Sequence, residues 1–142
     1  MKEFTINKLR HLWLFVLLMV GGTAFAQNVA KIGDTEYANL WQAAKAVPTD
    51  GTQTTITLLA SAATDGIIQG TGVKVKAGQN IVLDLNGLTY EVTNPTVGST
   101  GTETNGFQLL KGSTVKFING AVTSSTAKIL LQNYSNLTLE DV

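Results

Sequence analysis

Two stretches, Ser113-Thr114-Val115-Lys116-Phe117-Ile118-Asn119 and Ser135-Asn136-Leu137-Thr138-Leu139-Glu140-Asp141, superpose when Ser113 is laid on Ser135. Val115 then falls on Leu137, Phe117 on Leu139 and Asn119 on Asp141, a constant shift of 22. Apolar residues alternate with polar ones in both, the period-two mark of a strand with one face hidden. A strand text that returns at a fixed interval is the signature of a repeat architecture.

The pattern extends upstream. Gly78-Gln79-Asn80-Ile81-Val82-Leu83-Asp84-Leu85-Asn86-Gly87 has the same shape, and its Asn86-Gly87 precedes Asn119-Gly120 by 33. The excess over 22 is assigned to the apolar-poor stretch 94–105, read as a protruding loop. One step further back, Ile56-Thr57-Leu58 precedes Ile81-Val82-Leu83 by 25. Strict matching of the two Asn-Gly pairs puts Asp84, not Leu83, opposite Phe117. That mismatch predicts one extra residue in the earlier strand, a bulge.

From Thr52 onward, short apolar runs are separated by Gly, Asn and Ser punctuation. They lie too close together for βαβ units, and are too short and irregular for an immunoglobulin-like sandwich. A repeat unit of 22 to 25 with three short strands reads as one coil of a parallel β-helix. Each coil would bond to the next at about 4.8 Å. The expected fold is mainly β, with about three to four coils. Ile81, Leu83, Leu85, Val115, Phe117, Leu137 and Leu139 are expected to point inward, Lys116 and Thr138 outward. Asn86, Asn119 and Asp141 would stack at one corner, with side-chain amides bonding to the neighbouring coil's backbone. Turn chemistry alone selects the same residue types, so both explanations stand at this point.

Ahead of the repeats, Val29–Ile32 and Thr35–Tyr37 flank Gly33-Asp34 and read as a short hairpin or a bent strand. Asn39-Leu40-Trp41-Gln42 carries a capping-box pattern, in which the Asn39 side chain takes an amide of the first turn and Gln42 reaches back. Leu40, Ala43, Ala44 and Val47 form one apolar stripe, and Pro48 ends the helix, predicted over about residues 40–47. Trp41, at the edge of that stripe, is expected to pack as core, with a sugar platform as the other reading.

The segment Met1–Ala26 is a different kind of polypeptide. Lys2, Lys8 and Arg10 precede the apolar run Leu12–Val20, and Ala24-Phe25-Ala26 is a small-x-small cleavage pattern. This is the layout of a secretory signal peptide, with Gln27 as the new N-terminus. The run Leu12–Val20 falls well short of the roughly 20 apolar residues that span a bilayer. The expected organisation is residues 1–26 as signal, 27–51 as strand or hairpin and capping helix, and 52–142 as coils. The expected location is secreted or cell-surface, with no membrane span after cleavage.

Past Ala26 the chain holds seven Lys and nine acids, and no Cys, His or Arg. That inventory excludes the usual zinc sites, a Ser-His or Cys-His nucleophile pair, and a bidentate arginine clamp. It holds no polybasic surface for nucleic acid. No catalytic, metal or cofactor residues are assigned, and Asp84 reads as a solvated strand residue or a partner of Lys116. Gly70-Thr71-Gly72 and Gly98-Ser99-Thr100-Gly101 lack the Lys-Ser/Thr and helix of a phosphate loop.

Taken together, Ala30–Tyr37, the capped helix, Ile56–Leu59 and Asn80–Thr89 resemble the N-terminal part of pectate-lyase-like, right-handed parallel β-helix proteins on the surface of Bacteroidota and some Firmicutes. The resemblance covers Val29–Val142. It implies that the helix plugs the open N-terminal end of the coil, a role suited to Leu40, Trp41 and Ala44. Functionally it implies a structural or adhesive surface module whose flank or loop 94–105 contacts polysaccharide or cell-surface glycan. The alternative is the non-catalytic N-terminal piece of a polysaccharide lyase or glycoside hydrolase. The chain stops within strand text, so the coils are expected to be incomplete at the C-terminus and open to end-to-end self-association.

Overall fold

The computed structural model describes residues 26–142. The segment read as a signal peptide lies, but for Ala26, outside the described residues. The rest is mainly β with one helix. A hairpin of β1 (Ala30–Ile32) and β2 (Thr35–Tyr37) leads into α1 (Leu40–Ala46). Ten strands follow: β3 (Gln53–Leu58), β4 (Ile67–Thr71), β5 (Val73–Val75), β6 (Asn80–Asp84), β7 (Thr89–Asn94), β8 (Asn105–Leu109), β9 (Thr114–Ile118), β10 (Ala121–Thr123), β11 (Ile129–Asn133) and β12 (Asn136–Glu140).

From β3 onward each strand pairs in parallel with the strand three positions on. The result is three sheets, β3-β6-β9-β12, β4-β7-β10 and β5-β8-β11, visited by the chain in cyclic order. The register Leu137↔Val115 and Leu139↔Phe117 is the superposition seen in the sequence. Three pairings enclose the segment 95–104: Asn80↔Thr114, Thr89↔Ala121 and Val73↔Phe107. Their partners stand further apart in the chain than those of pairings that do not enclose it, such as Gln53↔Asn80, Ile67↔Thr89, Asn105↔Ile129 and Thr114↔Asn136. The surplus length therefore leaves the stack at one corner, between β7 and β8.

Two details of register differ from the expectation. Ile56 pairs with Leu83 and not with Ile81, which keeps the same face inward because the side-chain period is two. No bulge interrupts β6, which pairs without a break from Asn80↔Thr114 to Asp84↔Ile118. The extra residue is Leu85, at the corner after the strand. It is fully buried and donates its N–H to the Ile118 carbonyl at 2.9 Å.

Inward side chains from the three sheets meet in one core. Ile56, Leu83 and Phe117 come from the first sheet, Ile68, Tyr90 and Val92 from the second, and Val73, Val75, Phe107 and Leu109 from the third. Tyr90, Phe107 and Phe117 link the sheets through ring contacts of 5.9 and 5.3 Å between centroids, steeply inclined to one another. Tyr90 is a polar exception; its hydroxyl donates to the Thr71 carbonyl at 2.8 Å, and burial pushes the phenol well above its usual pKa. Leu137 is half-buried, and Leu139, expected inward, is 51% exposed, because no described strand lies beyond β12 to cover it.

Two corners repeat from circuit to circuit. At one, Asn86, Asn119 and Asp141 all adopt left-handed backbone (φ 55, 59 and 56). At another, Gly51, Gly78 and Gly112 share φ of 85, 83 and 86. Gly51 N–H donates to the Gly78 carbonyl and Gly78 N–H to the Gly112 carbonyl, both at 2.8 Å. Glycine adopts that backbone without the Cβ penalty, so the chain turns the same way at each level.

The N-terminal end is closed by the hairpin and helix. β1 adds antiparallel to the outer edge of β3 (Ala30↔Leu58), while Leu40, Ala43 and Ala44 of α1 are buried against the core. The capping box does not form. Asn39 stands at the N-cap with extended backbone but makes no side-chain bond; its carbonyl accepts the amides of Gln42 and Ala43 at 3.2 and 3.3 Å. Nor does Trp41 join the plug. It is 40% exposed, since the buried stripe runs through Leu40 and Ala44 and turns position 41 outward.

Candidate functional site

Alternation along the third sheet sends Val73, Val75, Phe107 and Leu109 inward and leaves Lys74, Gln108 and Gln132 on the outer face. These three are in register, Lys74↔Gln108↔Gln132, so they form a row across the strands at about 4.8 Å per step. Gln108 is 7% exposed, and its Oε1 has no hydrogen-bond partner. A carboxamide oxygen in that state sacrifices its hydration without a replacement donor, a cost of about 1–3 kcal/mol. Gln132 is engaged; its Oε1 accepts Asn105 Nδ2 at 2.9 Å and its Nε2 donates to the Tyr134 hydroxyl at 3.3 Å. The Tyr134 ring beyond it is 60% exposed.

At the other end of this row, beside Lys74, lies a groove of about 380 Å³. It is lined by Trp41 and Lys45 of α1, by Thr96 and Val97 of the 95–104 segment, and by Gly72, Lys74 and Lys76. Gly72 lets the segment come close, since a Cβ there would meet the Thr96 amide at 2.9 Å and the Asn105 carbonyl at 3.0 Å. Val97 is tied to Asn105 by an antiparallel bridge and is 8% exposed. The base of the expected protruding loop is thus ordered against the sheet, and its tip, Ser99–Glu103, is exposed.

Gln79 braces the groove's floor. Only 2% exposed, it donates Nε2 to the carbonyls of Ala44 and Val47 and accepts the Lys76 amide on Oε1, all at 2.8 Å. It stitches the C-terminal end of α1 to the turn between β5 and β6.

The structure separates the residues singled out from the sequence. Asn39, Trp41 and Gln42 lie at the helix end, and Asn86, Asn119 and Asp141 at a distant corner. Asn86 Nδ2 donates to the Leu58 carbonyl of the preceding circuit at 3.0 Å, whereas Asn119 Nδ2 reaches the Asp84 carboxylate at 3.3 Å. Asp84 is committed to that corner, also accepting the Asn86 amide, and Lys116 pairs instead with Glu140 at 2.6 Å. Sequence reasoning misses Gln79, Gln108 and the lysine group around Trp41. For Gln108 and Lys74 the one sequence signal is a polar residue at an outward position of a run otherwise read only for its apolar half; Gln79 has none. Among the described residues, no group of three His, Cys, Asp or Glu is placed to hold a metal, and no helix is long and apolar enough to cross a membrane. Comparisons of the chain with protein-family models, with curated proteins and with solved structures returned no match.

Proposed function

We propose that this chain is a secreted or cell-surface β-helix module with a structural or adhesive role, and that the outer face of its third sheet contacts glycan. Parallel pairing of every third strand is the basis for the β-helix. A right-handed sense follows from the strong preference of parallel crossover connections for that hand. The signal-like layout of residues 1–26 is the basis for export.

The observation that carries the glycan reading is the exposed Tyr134 ring, whose hydroxyl accepts Gln132 Nε2 at 3.3 Å on the outer face of the sheet. A sugar's apolar face stacks on an exposed aromatic ring, and sugar hydroxyls pair with polar groups beside it. A polysaccharide lying along the outer face would meet the Tyr134 ring and the Gln132 carboxamide.

An array of neutral and acidic oligosaccharides, probed with the full chain, tests this. Gln132→Leu and Tyr134→Ala are expected to lose retention at least several-fold. Retention of no saccharide, or equal retention by both variants and the parent, refutes the glycan role. N-terminal sequencing of exported protein is expected to begin at Gln27.

A further inference from the structure

Each of the three sheets has an outer edge at the N-terminal end, and the chain treats those edges differently. The β3 edge is filled by β1. On β4, Ile67 exchanges both main-chain bonds with Thr64 at 2.9 Å. Gln69, further along β4, borders a cleft with Asp65 and, among the described residues, no aromatic or cationic side chain. No described strand is added to β5.

The register shows which of its main-chain groups are free. Val75 faces β8, since its carbonyl accepts the Leu110 amide at 3.0 Å. Alternate residues of a parallel strand bond to opposite sides, so Lys74 and Lys76 face the edge that α1 flanks. Gln79 takes both groups of Lys76, its Oε1 accepting the N–H and its own N–H donating to the carbonyl. Those of Lys74 are left to the groove beside Trp41. An edge strand with free N–H and C=O groups is a template for another extended chain.

We propose that this groove takes an extended acidic polypeptide segment, added to β5 as a further strand. Its main chain would pair with the N–H and C=O of Lys74, and an apolar side chain would lie on Trp41. Acidic side chains would meet Lys45, Lys74 and Lys76. Among the described residues no carboxylate lines the groove, so the charge complement is one-sided. A glycan would use the indole and the lysines but leave the strand edge unpaired. This proposal shares Lys74 with the row on the outer face but does not involve Gln108, Gln132 or Tyr134.

Trp13 and Trp41 are the chain's two tryptophans, so in a Trp13→Phe background Trp41 emission reports on the groove alone. The probes are the capped pentapeptide acetyl-Val-Glu-Val-Asp-Val-amide, its counterpart with both acids replaced by lysine, and the acidic peptide N-methylated at alternate residues. The acidic peptide is expected to give a saturable blue shift and the lysine peptide none. N-methylation removes the donor to the Lys74 carbonyl and should weaken binding about fivefold, the loss expected for one main-chain hydrogen bond. Lys45→Gln with Lys76→Gln should weaken it several-fold and flatten its salt dependence. Equal binding of the N-methylated and parent peptides overturns strand addition. A shift with oligogalacturonide but not with the acidic peptide overturns the polypeptide partner, as does no shift with any probe at millimolar concentration.

Discussion

Gly120 lies against Leu85, so close that a Cβ on Gly120 would come within 2.5 Å of the Leu85 Cβ and would also strike the Leu88 carbonyl oxygen. Leu85 is the extra residue of its circuit, and Gly120 is the space it occupies in the next. The Asn-Gly pair at 119–120 is thus constrained twice: by the left-handed backbone of Asn119 and by the bulk of Leu85.

Gly120→Ala is accordingly expected to destabilise the protein by about 2–3 kcal/mol in urea unfolding, the upper range for overpacking. Combining it with Leu85→Gly should cost less than the sum of the two single changes, since that change removes the Cβ that a Cβ at position 120 would otherwise strike. Strict additivity would show that the two residues do not compete for one space.

The glycine column offers a graded comparison. A Cβ on Gly78 would collide with the Thr49 carbonyl oxygen, whereas one on Gly112 meets nothing closer than the Ala77 Cβ at 3.5 Å. Gly112→Ala should cost about 1–2 kcal/mol, the left-handed penalty alone. Gly78→Ala should cost more, by at least about 1 kcal/mol of added overlap. Equal thermal unfolding midpoints for the two variants would contradict this ordering.

Substitution by glycine distinguishes the two explanations for the Asn corner. Glycine keeps the left-handed backbone and deletes only the side-chain bond. Asn86→Gly is expected to lose about 1 kcal/mol, because a part-buried bond to the Leu58 carbonyl goes with it. Asn119→Gly should change stability little, since its 3.3 Å contact with Asp84 is exposed. No loss in either variant would leave turn chemistry as the whole account.

The ordering of periodic segments is legible in the sequence, while contacts between segments are not. Val115 and Leu137 reveal their pairing because identical spacing recurs on both sides, and Leu40, Ala43 and Ala44 mark the buried helix face. The position of the extra residue is not legible. Matching Asn86 to Asn119 assumes that corners align as strands do, yet the strands keep the Asn80↔Thr114 register throughout and Leu85 takes up the difference. Apolar character alone places Trp41 in the core, although its position beside the Leu40–Ala44 stripe turns it outward. Asn39 and Gln42 match the capping motif by residue type, but side-chain rotamers decide whether the bonds form. Gln79 leaves no trace because its partners, Ala44 and Val47, are remote in the chain and reach it only through the fold.

Gln79→Leu tests that long-range staple. It leaves the Lys76 amide and the Ala44 and Val47 carbonyls without their side-chain partner, an expected loss of about 2–4 kcal/mol at roughly 1 kcal/mol per bond. Hydrogen exchange of the α1 amides should accelerate more than that of β9. A uniform acceleration across both would show that Gln79 supports the whole fold rather than the helix attachment.

The exit between Asn94 and Asn105 has a consequence for how such a chain acquires diversity. Strand pairing resumes on both sides of the excursion in unbroken order, and its exposed tip around Thr100-Gly101 carries none of the stack's bonds. Doubling a flexible loop costs only about 0.6 kcal/mol of closure entropy. Foreign sequence grafted there would be displayed beside the Trp41 groove on an unaltered scaffold, so new recognition can arise by length variation at one port while the folding problem stays solved.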